Sequence, residues 1–117
     1  MIRLQTEKGE VSISDAALSN ITGAAATSCF GVKGMAVRSM TDGLVHLLRK
    51  EAMGKGVRVT FQDDNSIAID LHIMVDKSVN LSAIASSIIS EVRYFVTKST
   101  GTEVRAVNVF VDSISVD

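Results

Sequence analysis

The sequence predicts an α+β fold: one two-layer domain over residues 1–117, a small mixed sheet with helices packed mainly on one face. Three observations carry this. Residues 57–61 and 67–75 ("VRVTF" and "IAIDLHIMV") alternate apolar and polar side chains around a short polar turn, an antiparallel hairpin. Residues 81–99 then place apolar side chains at three–four spacing, a long amphipathic helix. A third alternating run, "EVRAVNVFVDSISV", follows, and strand–helix–strand order favours a parallel, right-handed crossover.

The chain has 117 residues, enough for one core; 46% are hydrophobic and 21% charged, as in folded globular proteins. Without proline or tryptophan, and with 4% aromatics, that core must be aliphatic. The single cysteine, Cys29, excludes an intrachain disulfide, which fits a reducing cytoplasm, and its alanine-rich surroundings suit a small buried hydrophobe. No apolar run approaches the ~20 residues that span a bilayer. "MIRLQTEKGE" lacks the apolar region of a secretory signal. Any role at a membrane therefore calls for a partner or a surface contact.

Element by element, "GEVSIS" alternates Val11 and Ile13 with polar residues, a short strand. Ser14 is placed to cap a helix, with Asp15 at its positive end, running to about Cys29. Ala17, Ile21, Ala24, Ala25 and Ser28 share one side of it. Gly23 and the alanines suggest a backbone lying close to a neighbour. Gly31 suits the left-handed position that ends a helix. "VKGMAVRSM" reads as extended, with Val32, Met35 and Val37 as apolar contacts. Thr41 or Asp42 can cap a second short helix to about Met53, with Leu44, Leu47 and Leu48 as its stripe and Gly54 and Gly56 as its stop.

In the second half, Ile67, Ile69, Leu71, Ile73 and Val75 face one way, and Ala68, Asp70, His72 and Met74 the other, toward solvent or an interface. The long helix buries Leu81, Ile84, Ala85, Ile88, Ile89, Val92, Phe95 and Val96, and Gly101 ends it. The last strand puts Val107, Val109 and Val111 opposite Asn108, Phe110 and Asp112.

Net charge is −1 but unevenly spread. Residues 33–58 hold six basic side chains (Lys33, Arg38, Arg49, Lys50, Lys55, Arg58) and two acidic ones, a local +4; residues 59–117 hold four basic and eight acidic, a local −4. The middle segment can attract an anionic surface or the acidic half of a second copy, or it is a solvated face. Together with Asp70 and His72, these six basic residues are the candidate contact surfaces.

Catalytic and ligand motifs are weak. "GVKG" and "GKG" lack the lysine–hydroxyl set of a phosphate loop. "GVKG" matches the GXXG clamp of a KH domain, with Lys33 inside it, but the extended segment after Gly34 argues against that nucleic-acid site. His46, His72 and Cys29 have no ligand spacing for a metal, and Asp63, Asp64 and Asn65 read as a turn rather than a calcium loop. No nucleophile elbow or evident Cys–His pairing exists. The residues imply no enzyme, no metal and no cofactor.

"GEVSISDAALSNITGAAATSCFGVKGM" is similar to the opening signature of the alkaline-shock protein family, including its YloU-like branch: a Gly-x-Val/Ile-x-Ile strand, a helix with an Ile-x-x-x-Ala-Ala core, and a Gly-Val-x-Gly-Met/Leu turn. "GVRVTF", "IAIDLHIMV", the amphipathic helix and "VRAVNVFV" follow in the family's order, so the resemblance covers nearly the whole chain. It implies a small, cytoplasmic, non-enzymatic protein of Gram-positive bacteria, linked to envelope homeostasis and alkaline or envelope stress. Such proteins self-assemble into homo-oligomers, and some reach the membrane through a membrane-anchored partner. The YloU-like branch also implies an alternative, an accessory role beside a dihydroxyacetone-kinase-like enzyme of fatty-acid phosphorylation. The family has no catalytic residues to carry over.

Overall fold

A computed structural model of the chain describes residues 1–38, 44–48, 50–77 and 79–115. Its organising element is the strand Ile67–Asp76, which becomes β6 when the chain is numbered from its start. Ile67, Ile69, Leu71, Ile73 and Val75 are 0% exposed, while Ala68, Asp70, His72 and Met74 are half-buried. The two-residue period of a strand makes this split, as the sequence predicts.

Before β6 come β1 (Ile2–Thr6), β2 (Gly9–Ile13), β3 (Val32–Arg38), β4 (Val45–Leu47) and β5 (Val57–Phe61); after it comes β7 (Val104–Ser115). β7 runs parallel to β6 along one whole edge, from Ile67↔Val104 to Asp76↔Ser115. A strand has two edges, so β5 and β3 share the other end to end. β5 pairs antiparallel with residues 67–71, and β3 with residues 73–75. β4 extends the sheet beyond β3. The mixed sheet, the β5–β6 hairpin and the parallel connection to β7 are those the sequence predicts.

The β5–β6 turn is closed by Asp64, whose Oδ1 accepts from the Ser66 backbone N–H at 3.1 Å and hydroxyl at 2.6 Å, while Asn65 takes φ +69°. The helix α2 (Leu81–Thr100) starts on Asn80, whose side chain accepts from the Ala83 N–H, and ends on left-handed Gly101. Ile84, Ile88, Val92 and Val96 form one i, i+4 row against the buried face of the sheet. Two residues assigned to that stripe lie outside it: Leu81 and Phe95 are 41% and 45% exposed. Thr100 completes the row instead, its hydroxyl satisfied by the Val96 carbonyl at 2.8 Å.

The helix α1 (Asp15–Thr27) is capped by Ser14, whose Oγ accepts from the Ala17 N–H at 3.1 Å. Its buried face is rotated from the expected one. Leu18, Thr22, Gly23, Ala25 and Ala26 are inside, whereas Ala17, Ala24 and Ser28 are exposed. Leu18 is the largest side chain buried from this helix, and it sets the face; Thr22 can follow because its hydroxyl donates to the Leu18 carbonyl at 2.8 Å. Gly23 does sit against a neighbour, since an added Cβ would lie 3.0 Å from the Met53 Cγ. Gly31 has φ +86° but lies past the helix cap, Ser28. A side chain there would collide with Ile84 of α2, so the residue serves close passage of the chain.

Two expectations fail. The second helix is absent among the described residues: residues 39–43 and 49, including the Thr41 and Asp42 caps, lie outside them, residues 45–47 are β4, and Lys50–Gly56 is a 3₁₀ segment. The Leu48 N–H donates to the Met35 carbonyl at 2.8 Å, so sheet pairing competes successfully with a short helix whose apolar stripe is three leucines. β1 was not expected; it pairs with β2 as a separate hairpin, burying Ile2 and resting Leu4 and Ile13 on the core.

Candidate interaction surface

The helices cover the face of the sheet that carries Ile67, Ile69, Leu71, Ile73 and Val75. The opposite face carries a groove of about 480 Å³, lined by the end of β3, the 3₁₀ segment, β5, β6 and β7. Of the eight candidate residues, Lys55, Arg58, Asp70 and His72 line this groove together. Lys33 does not: its Nζ donates to the Ser115 Oγ at 3.1 Å, and it borders a second depression near Ser28, Leu48 and Met53. Arg38 ends β3 and Lys50 opens the 3₁₀ segment, while Arg49 lies outside the described residues.

Cross-strand register builds the surface. Arg58 is opposite Asp70, and Asp70 is opposite Asn108, so three strands place these residues in one row. The Asn108 Nδ2 donates to the Asp70 Oδ1 at 2.9 Å. One row on, His72 is opposite Phe110, and their rings stack at 4.8 Å with 12° between planes. The register then slips, because Ile73 pairs with Val111 but Met74 with Ser113, leaving Asp112 as the extra residue. Such a bulge re-aims a side chain. Here it brings the Asp112 Oδ2 to 3.0 Å from the His72 Nδ1. A second slip leaves Arg105 unpaired in the ladder, and its guanidinium reaches the Asp64 Oδ2 at 2.6 Å.

Phe110, Asp112 and Asn108 were not among the candidate residues. Their alternation opposite Val107 and Val109 was visible, but their place beside His72 comes from pairing between distant segments.

A His–Asp pair can activate a nucleophile, but no serine, threonine or cysteine is among the residues lining the groove. Cys29 lies elsewhere, with its thiol 3.5 Å from the Ala25 carbonyl. Burial, and then the nearby Glu91 carboxylate, push its pKa up, so the thiol stays protonated at neutral pH. Among the described residues, no three His, Cys, Asp or Glu side chains gather as a metal site. The GXXG reading of residues 31–34 loses its geometry, because Gly34 lies within β3 rather than in a loop joining two helices. Among the described residues, no helix is long and apolar enough to cross a membrane.

A sequence profile of the alkaline shock protein 23 family, a family of cell envelope-related function, matches residues 3–116. The uncharacterized protein YloU of Bacillus subtilis is 35% identical over 116 residues, covering 98% of this chain and 96% of that protein. The uncharacterized protein Spy1614 of Streptococcus pyogenes serotype M6 is 33% identical over 116 residues, 98% of this chain and 95% of that protein. Among solved structures, a double variant of the MamM CTD aligns with a TM-score of 0.52 over 86% of this chain and 94% of that one, at 19% identity. This last likeness is one of fold alone.

Proposed function

The chain belongs to the alkaline shock protein 23 family, and from that premise we propose that it is a non-enzymatic adaptor of the cell envelope that works through contacts with its own copies and with other proteins. The observation that carries this reading is the sheet face left free of helices, where a stacked His72–Phe110 pair is flanked by Lys55, Arg58, Asp70 and Asp112. Half-exposed aromatics ringed by charge are the composition of a protein contact. The groove lining supplies no nucleophile to go with the His–Asp pair. The chain acts in the cytoplasm of a Gram-positive cell during alkaline or envelope stress, and a membrane-anchored partner brings it to the membrane.

Mild crosslinking in living cells, affinity capture and mass spectrometry test the reading. Recovery of further copies with a membrane-anchored protein is the expected result. Recovery of a kinase-like enzyme in their place would shift the role to an accessory subunit of lipid phosphorylation. Capture of the chain alone, before and after alkaline stress, would overturn the adaptor reading.

A further inference from the structure

The open face is divided by charge, and the division is self-complementary. β5 runs antiparallel to β6 with Val57 opposite Leu71. Gly56, one residue earlier, is therefore level with His72; consistently, its Cβ position lies 3.2 Å from the His72 carbonyl oxygen. On the other side of His72 stands Phe110. One row thus reads Gly56, His72, Phe110, and the row beside it Arg58, Asp70, Asn108. Beyond them, Lys55 lies on the β5 flank and Asp112 on the β7 flank. Among the residues lining the groove, the basic groups occupy one flank, and the carboxylates and the projecting ring occupy the centre and the other.

Shape follows the same division. Phe110 is stacked on His72 yet 45% exposed. Gly56 offers no side chain, and none fits, because a Cβ would approach the Met35 Cβ to 2.9 Å. The groove therefore has the Gly56 backbone, between Lys55 and Arg58, on one flank and the aromatic ring of Phe110 on the other.

We infer that a second copy of this chain docks face to face on this surface about a two-fold axis running along β6, so that Phe110 of each copy seats over Gly56 of the other. Such an axis exchanges the flanks and keeps the rows. Lys55 then meets the second copy's Asp112, and Arg58 meets its Asn108 beside Asp70. An isologous interface requires a patch complementary to itself; opposite charges on the two flanks meet that requirement, while Asp70, on the axis, meets its own copy with Arg58 of each chain in the same row to offset the like charges. This inference rests on the self-association in the proposed function and gives it a surface.

Sedimentation or light scattering of the purified full chain over a concentration series is the test. The expected result is a monomer–dimer equilibrium whose Kd rises about ten-fold or more in Phe110→Ala, because truncating a central aromatic anchor is costly. Lys55→Glu and Asp112→Lys should each weaken the dimer, and the two together should restore it, since the swap rebuilds the pair across the axis. Circular dichroism and melting report whether each variant is folded. A second measurement needs no loss of affinity: in a Cys29→Ser background, chains carrying Lys55→Cys are mixed with chains carrying Asp112→Cys. A short thiol-reactive crosslinker should then join unlike chains in preference to like ones. A dimer that ignores both Phe110→Ala and the charge swaps, and shows no preferential crosslink, overturns this interface while self-association stands. A monomer at every concentration overturns the interface and self-association together.

Discussion

The two faces of β6 differ in almost every respect. On one, five aliphatic side chains are wholly inside, packed beneath Ile84, Ile88, Val92 and Val96. On the other, Asp70 and His72 are half-buried and take their partners from β7, in Asn108, Phe110 and Asp112. The first face is held by exclusion of water, which is indifferent to direction. The second is held by pairs that depend on register. A single strand can carry both because neighbouring residues point to opposite sides, so the covered and the open face vary independently along ten residues.

Substitutions can break that separation or sharpen it. The largest effect is expected from Ile88→Asp, which forces an unpaired carboxylate into a fully buried site. The cost, several kcal/mol, is comparable to the ~5–15 kcal/mol stability of a domain, so the cooperative melt should disappear. A folded variant would mean that the covered face tolerates charge and that the contrast is false. Next is Gly23→Leu, where the 3.0 Å approach to Met53 leaves no room for a larger side chain. Overpacking should cost about 1–3 kcal/mol, read as a fall in Tm. Ser14→Ala removes the cap of α1 and should cost ~1 kcal/mol in denaturant titration. Arg58→Ala on the open face should leave stability within ~0.5 kcal/mol, because an exposed side chain away from core and caps contributes little.

The smallest expected effect is one of pH. Asp64, at the rim of the sheet, has its pKa held below the ordinary 3.8 by the Ser66 hydroxyl and N–H, helped by Arg105. A lowered folded-state pKa gives stability above the unfolded value that is lost as pH falls through the folded one. Melting followed downward from about pH 5 should therefore show a slightly shallower acid loss in Asp64→Asn than in the parent chain. Equal slopes would remove Asp64 from the acid response.

Much of this was legible in the sequence, unevenly and for physical reasons. In β6, apolar and polar residues alternate without interruption, and α2 is long enough for its row to stand out. The face of α1 is not legible in the sequence, because alanine, glycine, serine and threonine differ little in their preference for the interior. Leu44, Leu47 and Leu48 fit a helical stripe as well as an edge strand, and only pairing with β3 decides between them. For the surface, alternation exposed Asp70 and His72. It could not supply Phe110 and Asp112, which arrive through the register between strands 38 and 40 residues apart and through one bulge.

The position of β6 along the chain also bears on how the protein is made. Three other strands pair with this one, and two of them, β3 and β5, precede it. A ribosome therefore extrudes α1, β3 and β5 before the segment that can pair with them or cover them. Leu18 and Met35 stay in contact with water until Asp76 has emerged and α2 has followed. Nascent chains halted before that point display apolar surface that folding cannot hide, which makes them substrates for chaperones and proteases. Synthesis of α2 and β7 closes this fold in one step rather than adding a finished part to a folded one.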